Sequence, residues 1–293
     1  MGQYYLTDDS IAEKIVNLAE LAPGDHVIEV GPGACALTGR LCERAGAVTA
    51  VEIDRRLAGA ICTAMSRYPN FHFICADILK VSARSLVPAG ASPRRVVLVS
   101  NMPYYISTPI MTRLFEELAF VDKAVLMMQK EVARKLTAQP STADYCMLSV
   151  FAQSFYVPKK CFSVSPHCFV PQPGVESAVV ALEPRSRPLF AGDAGEASEA
   201  AEAVEAVEAL RQMFFRVVRA AFARRRKTLA NSLVFAGLAL GRAEAEGALA
   251  LAGIPTGARG ESLSHEAFAA LAHALVGTSS ATAVAEHHPN NEI

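Results

Sequence analysis

The chain has 293 residues, 52% hydrophobic and 19% charged, with 28 Lys and Arg against 29 Asp and Glu for a net charge of −1. This composition excludes a wholly disordered chain. It also excludes a uniformly basic nucleic-acid binder, so any basic surface must be local. At roughly 150 residues per domain, the length suits one large domain or two smaller ones.

The opening Met1-Gly2-Gln3-Tyr4-Tyr5-Leu6-Thr7-Asp8 has neither a basic nor an apolar leader segment, so no signal peptide is expected. No apolar run approaches the roughly 18 residues of a membrane helix. Apolar, β-branched runs at 26–31, 47–53, 71–76, 96–100 and 123–129 predict strands. Between them, 10–21, 37–45, 55–67 and 110–119 carry helical periodicity. Strands alternating with helices predict a doubly wound, mostly parallel sheet. The later runs 147–155 and 177–182 are expected to add strands at one edge. Pro158, Pro166, Pro171 and Pro173 between them predict extended or loop structure.

Composition changes after Pro184. Residues 191–208 hold six acids and no base, whereas 209–241 hold no acid and include Arg211, Arg216, Arg219, Arg224, Arg225, Arg226 and Lys227. The reading is a domain over 1–184, a linker over 185–200, a small helical domain over 201–275 and a disordered tail over 276–293. The seven cysteines form no CxxC pair, which fits a reduced, cytoplasmic setting without disulfides. The seven histidines show no metal-ligand spacing, so no metal is expected.

Chemistry enters at three strand ends. The first strand runs into Gly31-Pro32-Gly33, where glycines permit a tight turn and close approach of a ligand. Glu52 follows Gly31 by 21 residues, at the end of the next strand, where a carboxylate can accept from both hydroxyls of a ribose. Alone this suits any adenosine-containing cofactor; Gly31-x-Gly33-x-x-Ala36 even satisfies a loose dinucleotide fingerprint. Asp77 closes the third strand, placed either to accept from an adenine amino group or to cap the following turn, and Ile78 can pack on the ring.

The fourth strand ends in Asn101-Met102-Pro103-Tyr104. Adenine N6 is a poor nucleophile because its lone pair is delocalised into the ring. An acceptor oxygen on Asn101 and a backbone carbonyl of Met102 or Pro103 can hold its two protons. That leaves a more tetrahedral nitrogen aimed at an electrophilic methyl. Tyr104 can stack on an extruded base and stabilise the developing positive charge. In the C-terminal part, four consecutive cations at 224–227 have no acid nearby in sequence, and phosphate contact is their sharpest reading, against a solvated helix end neutralised by the acidic 193–208 segment.

These blocks, with Gln129-Lys130-Glu131-Val132, Phe169-Val170-Pro171-Gln172-Pro173-Gly174-Val175-Glu176-Ser177 and Arg224-Arg225-Arg226-Lys227-Thr228-Leu229-Ala230-Asn231-Ser232-Leu233, resemble the ribosomal RNA adenine dimethyltransferases, most nearly the KsgA type, over about residues 2–275. The resemblance implies an α/β fold: a Rossmann-like class I methyltransferase domain plus a small C-terminal all-helical domain. It implies transfer of four methyl groups from S-adenosyl-L-methionine to N6 of two adjacent adenosines in the 3′-terminal helix loop of 16S rRNA. The substrate would be the 30S subunit or its precursor, met by a cytoplasmic monomer with no membrane association.

Matched position by position, Tyr4, Leu6, Gly31, Gly33, Glu52, Asp77 and Asn101 become cofactor contacts. Asn101, Pro103 and Tyr104 become the catalytic motif, Phe169 an aromatic beside the target base, and Arg224, Arg225, Arg226 and Lys227 the RNA contacts. Tyr4 stands where the family often has Asn, and Met102 and Tyr105 replace Leu and Asn of the usual motif. The sequence opens almost at the Gly2-Gln3 block, without the short basic lead of many relatives, so RNA contacts made by such a lead are expected to be missing or replaced. The competing readings are a 23S rRNA adenine N6-methyltransferase, a non-catalytic RNA-binding assembly factor, and an NAD enzyme, for which no catalytic His or Lys constellation stands out.

Overall fold

The computed structural model describes residues 3–117, 120–186, 189–190, 200–224 and 226–285. The chain divides into two compact units, Met1–Thr137 with Phe155–Arg185, and Ala138–Ser154 with Ser186–Ile293.

The first unit opens with a two-residue strand, β1 (Tyr5–Leu6), and helix α1 (Asp9–Leu18). Asp8 caps α1, its carboxylate accepting from the N–H groups of Ser10 and Ile11. The chain then alternates: β2 (His26–Val30), α2 (Thr38–Arg44), β3 (Ala47–Glu52), α3 (Ala58–Met65), β4 (Phe71–Cys75), β5 (Val96–Asn101), α4 (Ser107–Glu117), β6 (Lys123–Gln129) and α5 (Lys130–Thr137). After an excursion into the second unit through α6 (Met147–Phe155), it returns as β7 (Tyr156–Val164), β8 (Phe169–Val170) and β9 (Ser177–Pro184).

Seven strands form one sheet in the order β4-β3-β2-β5-β6-β9-β7. The five from β4 to β6 are parallel, and β9 and β7 are antiparallel. Val27, Ile28, Val48, Val51, Val97, Val99, Val125 and Met127 are all buried, because helices cover both faces of the parallel strands. Pro158 is tolerated because β7 is an edge strand. A separate pairing sets β1 antiparallel to β8, with Tyr5 opposite Val170 and Leu6 opposite Phe169.

The five parallel strands and the final strand lie where the sequence places them. The run 147–155 does not: it is helix α6, not an edge strand. Every side chain from Leu148 to Ser154 is buried, so neither a two-residue nor a 3.6-residue alternation marks the segment. This helix belongs with the second unit, whereas the sequence reading kept 1–184 together.

The second unit is built on α7 (Ala200–Ala223), followed by α8 (Leu229–Phe235), α9 (Arg242–Leu251) and α10 (His265–Ala285). From α7, Phe214, Phe215, Val217 and Val218 are buried. Phe151 of α6 meets Phe215 edge-on at 5.0 Å, and the Tyr145 hydroxyl donates to the Leu263 carbonyl at 2.7 Å. Residues 276–285, read as tail from their small-residue composition, continue α10; alanine is the strongest helix former. Residues 286–293, and 187–188 and 191–199 of the expected linker, lie outside the described residues. Among the described residues no helix is long and apolar enough to cross a membrane.

Candidate active site

From β2 the chain crosses to β3 on one side; it later returns to pair β5 on the other. Where strand order reverses in this way, the carboxyl ends of the two central strands diverge into a crevice. Here that crevice is a cavity of about 720 Å³, including its open mouth. Its wall includes Tyr4, Leu6, Glu29, Gly31, Gly33, Glu52, Ile53, Asn101, Pro103, Tyr104 and Tyr105.

The glycine turn forms the floor. Gly31 and Gly33 have φ of +70° and +54°, a region costly for any residue with a Cβ. A Cβ at Gly31 would sit 3.5 Å from the Pro103 ring, and one at Gly33 would sit 3.2 Å from the Tyr5 ring. The turn therefore passes close beneath the Asn101–Tyr104 turn and the N-terminal strand. Glu52, buried at the end of β3, accepts from the Gly33 N–H at 3.3 Å and from the Asp54 N–H at 3.0 Å. It both staples the turn and faces the cavity.

Glu29, on β2, is 2% exposed, and no hydrogen bond reaches its Oε2. Burial pushes its carboxyl up to about 8; the Thr38 hydroxyl opposes the rise and the Glu52 charge adds to it. A buried acceptor without a donor, in a cavity wall, suits a ligand that brings a donor or a cation.

Asn101 ends β5 and donates from Nδ2 to the Tyr4 carbonyl at 3.2 Å. A carbonyl can only accept, so this bond fixes the amide and leaves Oδ1 as its acceptor. Pro103 starts a turn whose carbonyl accepts from the Ile106 N–H and the Ser107 hydroxyl, both at 3.2 Å. The Tyr104 hydroxyl meets the Ser177 hydroxyl, and its ring lies 5.2 Å from that of Tyr4, tilted by 37°. Burial raises the Tyr104 phenol, so it stays neutral. Tyr105 is 50% exposed; burial and the nearby carboxylates of Glu52, Asp77 and Asp54 raise its phenol.

Eight residues singled out in the sequence thus share one cavity: Tyr4, Leu6, Gly31, Gly33, Glu52, Asn101, Pro103 and Tyr104. Asp77 lines an adjoining hollow that shares Gly31, Glu52 and Pro103 with it. Its Oδ1 caps its own turn, accepting from the Leu79 N–H at 3.0 Å.

Phe169 is 2% exposed and lies in the core beside Leu6, where its backbone pairs with β1. It supports the N-terminal strand and presents no open ring to the cavity. In the second unit, Arg224, Arg226 and Lys227 are exposed, and the Arg224 guanidinium lies 3.2 Å over the Phe235 ring. Arg225 lies outside the described residues. Glu29, Ile53 and Tyr105 also line the cavity, without a role read from sequence; an acid inside an otherwise apolar strand, two residues before the turn, is the signal for Glu29.

This sheet order, with a glycine turn, a ribose-type carboxylate and an Asn-x-Pro-Tyr turn around the switch-point crevice, defines a Rossmann-like S-adenosylmethionine-dependent methyltransferase. The family model described as ribosomal RNA adenine dimethylase matches residues 1–196. The chain belongs to that family.

It is 37% identical to the ribosomal RNA small subunit methyltransferase A of Alkaliphilus oremlandii, over 94% of this chain and 90% of that one. It is 41% identical to the protein of the same name in Pelotomaculum thermopropionicum, at the same coverage. Among solved structures, the 23S rRNA methyltransferase ErmE is similar at 28% identity and a TM-score of 0.62, covering 93% of this chain and 99% of that one. A dimethyladenosine transferase from Plasmodium falciparum, 23% identical with a TM-score of 0.67 over 91% of this chain and 95% of that one, shares the fold.

Proposed function

We propose that this enzyme dimethylates N6 of two adjacent adenosines in the 3′-terminal helix loop of 16S rRNA, transferring four methyl groups in all. Its substrate is the 30S subunit or its precursor, and it acts as a cytoplasmic monomer. The reading is carried by the convergence of the Gly31–Gly33 turn, Glu52 and the Asn101–Tyr104 turn on one cavity.

S-adenosylmethionine, when bound, supplies an electrophilic methyl carbon on a positively charged sulfur. The residues present fit it. The side-chain-free turn at 31–33 admits close backbone approach, and Glu52 offers carboxylate oxygens to a ribose. Glu29 offers a neutral carboxyl with an unpaired Oε2 to a hydrogen-bonding group, and Asp77 an acceptor to the adenine amino group.

The chain's own residues then prepare the target nitrogen. Asn101 Oδ1, held by the Tyr4 carbonyl through Nδ2, accepts one N6 proton. The Pro103 carbonyl already accepts from the Ile106 N–H and shares the single Ser107 hydroxyl proton with the Tyr104 carbonyl, so the Met102 carbonyl is the backbone group left for the second proton. In the first transfer to each adenosine, holding both protons localises the nitrogen lone pair and fixes its direction; in the second, one acceptor holds the single N–H that remains. Tyr104, tied to Ser177 and packed on Tyr4, offers a fixed ring on which the base stacks; its face stabilises the positive charge on the alkylated nitrogen. No general base is needed, because that nitrogen becomes strongly acidic and releases its proton to water.

Exposed Arg224, Arg226 and Lys227 with Arg225 contact RNA phosphates. The neutralised-helix alternative loses support because Glu208 lies 16 residues before Arg224, α7 runs unbroken to Ala223, and the separation is roughly 24 Å at about 1.5 Å per residue. Relatives at 37% and 41% identity carry the small-subunit name, whereas the 23S-named structure is 28% identical, so the small-subunit reading is favoured.

The test is incubation of the enzyme and labelled cofactor with undermethylated 30S particles, followed by mass analysis of the terminal helix. Two dimethyladenosines there support the reading. Label outside that helix loop, or none, rejects it; in a parallel incubation with 50S particles, label in 23S rRNA rejects it as well.

A further inference from the structure

We infer that Arg113 is a positioning residue that fixes the adenine wall of the cofactor site to the helix carrying the catalytic turn. The inference rests on the proposed place of adenine beside Asp77.

The wall is the stretch from Asp77 to Val81. It has no regular structure, and its internal bonds run to Asp77: the N–H groups of Lys80 and Val81 donate to the Asp77 carbonyl, at 2.8 and 3.2 Å. The carbonyls of Ile78 and Val81 take no part in that set, and both residues are buried. Buried carbonyls need donors. Arg113 supplies them, Nη1 donating to the Ile78 carbonyl and Nη2 to the Val81 carbonyl. Its Nε donates to Glu117 at 2.7 Å, so all three edges of the guanidinium are engaged and the side chain is only 11% exposed. A planar fork with fixed donors holds two carbonyls at a set spacing, which a single lysine ammonium does not do.

The placement of Arg113 gives this clamp its consequence. It lies on α4, six residues after Ser107, whose hydroxyl donates to the carbonyls of Pro103 and Tyr104. One helix therefore grips the catalytic turn at its start and the Asp77–Val81 wall within its next two turns. Ile78 and Asp77 face Pro103 and Ile106 across the adjoining hollow. Arg113 sets the width of that hollow without touching cofactor, RNA or the reacting atoms. Loss of the clamp weakens cofactor binding in the ground state and the transition state alike, which raises KM and leaves kcat.

The experiment compares wild type, Arg113→Lys and Arg113→Met. S-adenosylhomocysteine binding is measured by calorimetry, the KM for S-adenosylmethionine and kcat on undermethylated 30S particles, and amide exchange of residues 78–82 without ligand. For Arg113→Met, loss of two charge-assisted bonds predicts affinity weaker by about tenfold or more, a parallel rise in KM, and kcat within about twofold. Exchange at 78–82 accelerates, and Arg113→Lys falls between. Should Arg113→Met not fold, Arg113→Lys with a native circular dichroism spectrum decides alone.

Affinity within about twofold of wild type in a folded variant overturns the inference, as does a fall in kcat at unchanged KM. Wild type that fails to bind S-adenosylhomocysteine overturns the proposed function instead.

Discussion

Replacing Glu29 by Gln tests whether the cavity floor holds a neutral acid. The carboxyl is raised from 4.5 to about 8 by burial, opposed by the Thr38 hydroxyl and reinforced by the Glu52 charge. Between those two values the folded chain binds a proton that the unfolded chain has already released. Stability therefore falls as pH rises through about 4.5 to 8 and levels off above. At about 1.4 kcal/mol per unit, the ceiling on this loss is about 5 kcal/mol. Glutamine keeps the shape and does not titrate, so it removes the slope. With no tryptophan in the chain, urea unfolding is followed by circular dichroism at about pH 5 and about pH 9. For a slope of about 2–3 kcal/mol per molar, the wild-type midpoint falls relative to Glu29→Gln by up to about 2 M. Midpoints that run parallel across the window would refute the reasoning.

Asn101→Ala keeps the glycine turn, Glu52 and Asp77, so S-adenosylhomocysteine affinity by calorimetry changes little while kcat falls by about 100-fold or more, the scale of losing one positioned partner of the reacting group. Tyr104→Phe retains the stacking ring but deprives the buried Ser177 hydroxyl of its partner, which costs about 1–2 kcal/mol in urea unfolding with methyl transfer largely kept; Tyr104→Ala loses transfer as well. Arg225→Ala with Arg226→Ala weakens RNA binding. In a salt titration of affinity, the log–log slope flattens by about 1.4–1.8, for two phosphate contacts at about 0.7–0.9 each; an unchanged slope would remove these residues from the interface.

The elements legible in the sequence are those whose physics is local. Each parallel strand announces itself as a continuous apolar run because both its faces are covered, and Gly31 and Gly33 announce the turn because few other residues adopt their backbone. Helix α6 was illegible for the complementary reason. Covered on every side, it shows no period, and an apolar stretch of nine residues fits a strand equally well. Phe169 failed differently. Its motif marks it as an aromatic near the site, but only the pairing of β1 with β8 reveals that its ring is buried behind Leu6.

The same distinction explains why Asn101, in its proposed role, needs the chain's first strand. Side-chain type marks Asn101 as an amide at a strand end, yet an amide has two faces of opposite polarity, and in the proposed mechanism only one orientation accepts from the target nitrogen. That choice is made by a backbone carbonyl 97 residues earlier in the chain, that of Tyr4. Tyr4 is held in turn by the neighbouring pairing of Tyr5 with Val170 and Leu6 with Phe169. Whichever side chain stands at position 4, its carbonyl can make this bond, so a Tyr where relatives often have Asn leaves the orientation of Asn101 intact. The departure then acts through the ring, which packs against Tyr104 at 5.2 Å, beside the face on which the base is proposed to stack.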